Sequence, residues 1–235
     1  MKIFRFCLLL CLLSLAASAS VITYGPIDMG TPSPSGFAFG NFGQTSFTST
    51  VALPQFDPSM GTLNFATFSI TGTVSGNVQF ENEDNIPITA HVDVLATVEL
   101  DDTTGNGWSA TATPENQSDH PVSAYDGIED YAGTSGFTIN DIRNTQTASY
   151  TTIDGLDDLS GYIGTGTVVF SIQATGFSSG SGGANLVRHL TTFAASNASV
   201  TYDYTTTTAV PEPATWGYMA LSIIGLAYRR RRRRA

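Results

Sequence analysis

His91-Val92-Asp93-Val94-Leu95-Ala96-Thr97-Val98 is the stretch whose reading decides the fold. Val92, Val94, Ala96 and Val98 alternate with His91, Asp93, Leu95 and Thr97. A period of two sends the first set to one face of a strand and the second to the other. A strand with one apolar face needs a second layer to cover it. The stretch lies inside a longer run, 86–100, and runs of the same kind recur at 36–42, 45–53, 63–74, 77–81, 146–153, 166–175 and 199–205. Gly, Pro, Asn and Asp divide them and supply turns. Residues 168–172 read as a strand buried on both faces. No helix-period pattern of useful length and no fixed-period repeat is present, which excludes a bundle and a solenoid. The expected fold is all-β, a β-sandwich or a jelly-roll.

Between these runs, three segments read as loops. Residues 105–119 are polar and contain Trp108; 176–183 are Gly- and Ser-rich; 205–209 form a Thr-rich spacer. Residues 184–193 could form a short helix. A single β domain is expected over 20–204, 185 residues and enough for a sizeable core.

Charge is unevenly distributed. The ten basic residues are Lys2, Arg5, Arg143, Arg188 and Arg229 to Arg234. Without the two ends, 19 of the 20 acidic residues face two arginines, a balance near −17. That surface repels phosphate backbones and argues against nucleic acid as a partner. Cys7 and Cys11, the two cysteines, both lie near the N-terminus. The expected mature domain therefore has no disulfide and no thiolate chemistry.

The ends read as addresses. Lys2 and Arg5 precede an apolar run, 6–15, and Ala17-Ser18-Ala19 follows it. Basic, apolar and small-x-small segments in that order are a signal peptide, 1–19, cut by signal peptidase after Ala19. At the other end stand Pro211-Glu212-Pro213, an uncharged run of 13 residues at 216–228, and then Arg229, Arg230, Arg231, Arg232, Arg233 and Arg234. Trp216 and Tyr228 border the run, as interfacial aromatics do, and the arginines hold the terminus cytoplasmic. A lasting transmembrane helix needs about 20 apolar residues. Thirteen fit a temporary hold, with the arginines snorkelling and the bilayer thinning.

The order Pro211-Glu212-Pro213, apolar span and terminal Arg cluster over 210–235 resembles the PEP-CTERM sorting tail of Gram-negative bacteria. The resemblance implies recognition and cleavage by an exosortase. It also implies passage through the membrane to the cell surface or matrix, in association with exopolysaccharide or biofilm. A second resemblance is carried by Leu53-Pro54-Gln55-Phe56-Asp57-Pro58-Ser59-Met60-Gly61-Thr62-Leu63, with Gly161-Tyr162-Ile163-Gly164-Thr165-Gly166 and Tyr202-Asp203-Tyr204 fitting more loosely. These are similar to choice-of-anchor E domains, extracellular modules joined to interchangeable C-terminal anchors. That likeness implies a surface protein and supplies no mechanism.

Motifs for chemistry are sparse. Gly176-Phe177-Ser178-Ser179-Gly180 spells G-x-S-x-G, but a nucleophile elbow needs a strand, a turn, a helix and then an acid and a histidine in order. His189 and Asp203 follow in the wrong order. His91, His120 and His189 show no metal spacing. No enzyme is expected. The acids fall in four groups: Glu81-Glu83-Asp84, Glu99-Asp101-Asp102, Asp126-Glu129-Asp130 and Asp154-Asp157-Asp158. None has EF-hand spacing; calcium, which takes about six to eight oxygens and is often bound weakly by extracellular modules, is the ion considered for such acidic turns. Trp108, with Tyr125 and Tyr131, is either a sugar-binding platform or a set of packing anchors. The functional expectation is an exported surface or matrix protein, with a polysaccharide- or calcium-binding adhesion module as the alternative.

Overall fold

The computed structural model describes residues 19–29, 46–153, 155–206 and 221–222. Two antiparallel sheets face each other. The chain runs through β1 (Ala19–Met29), β2 (Ser46–Pro54), β3 (Gly61–Asn82), β4 (Ile88–Asp101), β5 (Ser109–Ala112), β6 (Glu115–Val122), β7 (Gly136–Thr151), β8 (Thr167–Ser181) and β9 (Leu186–Thr206). Single 3-10 turns stand at Pro58–Met60 and Leu159–Tyr162. One sheet has the order β1-β9-β3-β7. The other runs β2-β8-β4, and β5 and β6 share the far edge of β4. The architecture is a β-sandwich.

The pattern in β4 sets the layers. Val92, Val94, Ala96, Val98 and Leu100 are buried, while His91, Asp93, Leu95 and Thr97 turn outward. Facing them from the other sheet are Phe68, Ile70 and Val74 of β3 and Ala198, Val200 and Tyr202 of β9. Two glycines let the sheets approach. A Cβ on Gly72 would lie 2.9 Å from Val98 Cγ2, and one on Gly76 would lie 3.2 Å from Val94 Cγ1. The valines of β4 therefore fill the spaces left in β3.

Several expectations change. Residues 168–172 are not buried on both faces: Val168, Phe170 and Ile172 point inward, whereas Val169 is 46% exposed. The Gly/Ser segment 176–183 is not a loop up to Ser181; it continues β8 opposite β4. Its small residues make room for a ring, since a Cβ on Gly180 would strike Phe80. The segment 184–193 is no helix but the start of β9, paired with β3 from Asn82↔Leu186 onward. The 105–119 loop contains β5 and half of β6. Thr205 and Thr206, expected in the spacer, belong to β9. The runs 63–74 and 77–81 are one strand. Residues 36–42, expected as a strand, lie outside the described residues.

Candidate functional site

The two ends of the domain meet. β1 and β9 pair with Ala19 opposite Thr205 and Ser20 opposite Tyr204. Gly61, at the start of β3, stands opposite Thr206. The expected signal-peptidase position and the last described residues before the tail thus lie side by side at one end of the four-stranded sheet. Ala17, Pro211, Glu212, Pro213 and the arginines Arg229 to Arg234 lie outside the described residues. Five residue steps separate Thr206 from Pro211 in the sequence. Of the expected 216–228 span only Leu221 and Ser222 are described, both helical. Among the described residues no helix is long and apolar enough to cross a membrane.

The same end carries a dense polar centre. Tyr162 is fully buried, its ring against Phe68 and Phe170. Its hydroxyl donates to Asp102 Oδ1 at 3.0 Å and accepts from Trp108 Nε1 at 2.8 Å and Asn106 Nδ2 at 2.9 Å. The Asp102 carboxylate also accepts from the backbone N–H groups of Thr104, Gly105, Asn106 and Gly107 and from the Thr104 hydroxyl. Burial alone would raise the Asp102 carboxyl, but the bonds from Thr104, Gly107 and Tyr162 outweigh it and hold it below the ordinary aspartate value. Burial, the largest influence on Tyr162, pushes its hydroxyl up.

Around this centre the structure gathers all three segments of the second resemblance. Phe56 bridges Ile163, and Phe56 N–H donates to Tyr162 O at 2.8 Å. Gln55 N–H donates to Gly166 O at 3.0 Å, and Gln55 Nε2 to Gly161 O at 3.0 Å. The Tyr202 hydroxyl donates to Pro54 O at 2.8 Å, and Phe56 packs on the rings of Tyr202 and Tyr204. Sequence alone could not show that Tyr162 joins them, since its partners Asp102 and Trp108 lie 60 and 54 positions away.

Trp108 is a packing anchor. It is 6% exposed and stacks on Phe68 and Tyr150. Tyr125 and Tyr131 sit at the opposite end, with the Asp84 and Glu81 groups. The three aromatics do not form a common sugar platform, because two ends of the sandwich separate them.

The four acidic groups come together in pairs. Glu81-Glu83-Asp84 and Asp126-Glu129-Asp130 meet at one end, where Tyr125 N–H donates to Asp84 O and Tyr131 N–H to Glu81 Oε2. Asp102 and Asp158 meet at the other through Asn106, which donates to Asp158 O and accepts from Asp158 N–H. Most of these acids are occupied with turns. Asp126 accepts from Ile128 N–H, Asp130 from Ala132 N–H and Asp158 from Ser160 N–H. Among the described residues no three His, Cys, Asp or Glu side chains are placed to hold a metal ion.

The remaining motifs are dispersed. Ser178 stands mid-strand in β8 opposite Val94, without the turn and helix of an elbow. His91 Nδ1 lies 2.6 Å from Asp119 Oδ1, His120 Nε2 lies 3.0 Å from Ser118 Oγ, and His189 meets Tyr131 edge-on.

Residues 209–233 match the PEP-CTERM protein-sorting motif. The tail therefore marks an exported protein sorted by an exosortase, with a membrane-anchored C-terminus before processing. No curated protein matches the chain. Among solved structures, a chain in the structure of infectious bursal disease virus Gx strain is 13% identical, with 88% of this chain and 48% of that one covered and a TM-score of 0.11. A chain of the T13 IBDV viral particle is also 13% identical, with 88% and 52% covered and a TM-score of 0.09. The chain spans about half the length of these viral chains. At such TM-scores the likeness carries no argument.

Proposed function

We propose that the β-sandwich is a surface or extracellular-matrix component of a Gram-negative bacterium, delivered by its tail and associated there with exopolysaccharide or biofilm. The observation that carries this reading is the sorting motif at residues 209–233, joined to a domain that begins beside its own end. With Ala19 opposite Thr205, both membrane-directed segments leave the sandwich from one end. That end faces the bilayer while the tail is held, and the rest of the sandwich projects outward. The likeness of 53–63 to choice-of-anchor E domains supports the same role.

The test is the intact mass of the protein in membrane, surface and medium fractions of the producing cell. Cleavage after Ala19 and near Pro211-Glu212-Pro213, with the product outside the cell, is the expected result. A chain retaining Ala235 and found only in the inner membrane overturns the reading. Changing Glu212→Ala is expected to leave unprocessed protein in the membrane fraction.

A further inference from the structure

The outer face of the four-stranded sheet carries rows of hydroxyls, interrupted on β9 by Asn197 and the buried Ala195. Thr23, Thr201, Thr67 and Thr151 stand abreast across β1, β9, β3 and β7. The next rows are Ser199, Ser69 and Ser149, then Asn197, Thr71 and Thr147, then Ala195, Thr73 and Thr145. Neighbouring hydroxyls touch. The oxygens are 2.9 Å apart in Thr23–Thr201, 2.9 Å in Thr67–Thr151, 2.8 Å in Thr71–Thr147 and 2.9 Å in Thr73–Thr145. Strand geometry sets these groups on a grid of roughly 4.8 by 6.8 Å.

A second observation concerns charge. The four rows carry no ionisable side chain except Asp28 on the β1 rim, beside Asn197. Beyond the rows stand Asp203 at one end and Arg143 with Asp141 at the other. The outer face of the opposite sheet differs: Asp93, Glu99 and Asp101 of β4 lie among its outward residues, with Glu115 and Asp119 of β6 beside them. In a domain with so large an acidic excess, one broad face bears hydroxyls and, within its rows, the single charge of Asp28.

We infer that this face binds a neutral polysaccharide. Within each threonine pair one hydroxyl donates to the other, which leaves the pair one donor, acceptor lone pairs and two methyl groups to offer a ligand. A polymer that repeats hydroxyls and C–H faces meets that set along its length, and many weak contacts add by multivalency. An anionic polymer is repelled by the surrounding acids. The inference rests on the matrix reading above and names its contact surface.

The experiment measures retention of the exported protein on insoluble cellulose, on a dextran gel and on an alginate gel. Retention on a neutral glucan and passage through alginate are expected. Replacing Thr71, Thr73, Thr145 and Thr147 by valine keeps the branched shape and the strand preference. Retention should then fall about tenfold or more. The variant Thr48→Val with Thr50→Val, on the outer face of β2, should bind as the parent does. Because four changes could unfold the sheet, Thr147→Lys on the exposed edge strand is the second variant; it should also lose retention while melting as a folded protein.

No retention of the parent on either neutral glucan overturns the inference, as does unchanged retention of both array variants. Adsorption to ice without retention on glucans would reassign the array to ordered water and also overturn it. Correct cleavage and surface location in the producing cell, alongside a failed retention assay, would leave the matrix reading standing and remove only this surface.

Discussion

Removing one oxygen from the polar centre tests how the tail end is held. Tyr162→Phe leaves the ring against Phe68 and Phe170 and deletes the hydroxyl. Asp102 then loses a donor at 3.0 Å, and Trp108 Nε1 loses its acceptor at 2.8 Å. A hydrogen bond to a charged group contributes about 1.5–3 kcal/mol, and a buried donor left unpaired costs about 1–3 kcal/mol. The two losses share one atom, so the net is on the order of 3 kcal/mol. For a domain of this size a change of 1 kcal/mol moves Tm by about 2–4 °C, so the variant should melt roughly 6–12 °C lower. Thermal unfolding followed by circular dichroism at neutral pH measures it, with denaturant titration checking that the m-value is unchanged. Tyr150→Phe is the comparison. It removes a bond to Asp157 at 2.9 Å from a less buried ring, and should cost about 1 kcal/mol. A Tyr162→Phe melting temperature within about 2 °C of the parent would refute the reasoning.

Acid stability follows from the same centre. Asp102 is held below its ordinary value, so its stabilising contribution is complete above the unfolded aspartate pKa near 4 and is lost as pH falls through the lower folded value. Asp57 and Asp158, held low by backbone and side-chain bonds from Ser59 and Ser160, act in the same direction. Melting temperature should therefore be flat near neutrality and drop below about pH 4, and Asp102→Asn should flatten that drop. Across the sandwich, Gly72→Ala forces a Cβ to within 2.9 Å of Val98 Cγ2. Overpacking of this kind costs about 1–3 kcal/mol, and adding Val98→Ala should recover part of it in a double-mutant cycle of melting temperatures. With Asp126, Asp130 and Asp158 engaged by backbone N–H groups, millimolar calcium should leave Tm unchanged; a rise specific to calcium over magnesium would show a site that those bonds conceal.

Local information determined two things. The alternation at 91–98 is a property of adjacent residues, so the strand, its buried face and the all-β class were readable directly. The sorting tail was readable for the same reason, since a short motif, an apolar run and a charge cluster lie consecutively in the chain. Tertiary structure decided the rest. β8 continues through Gly176–Ser181 because β4 supplies a pairing edge and Phe80 covers Gly180, neither of which is local to that segment. The stretch from Leu186 is strand rather than helix because β3 pairs with it over its whole length. Trp108 is buried because Phe68, Tyr150 and Tyr162, all distant in sequence, close around it. The hydroxyl rows exist only once β1, β9, β3 and β7 are in register. A strand pattern says which side chains share a face; which strands lie side by side, and what surface they make together, follows from long-range pairing that no single stretch encodes.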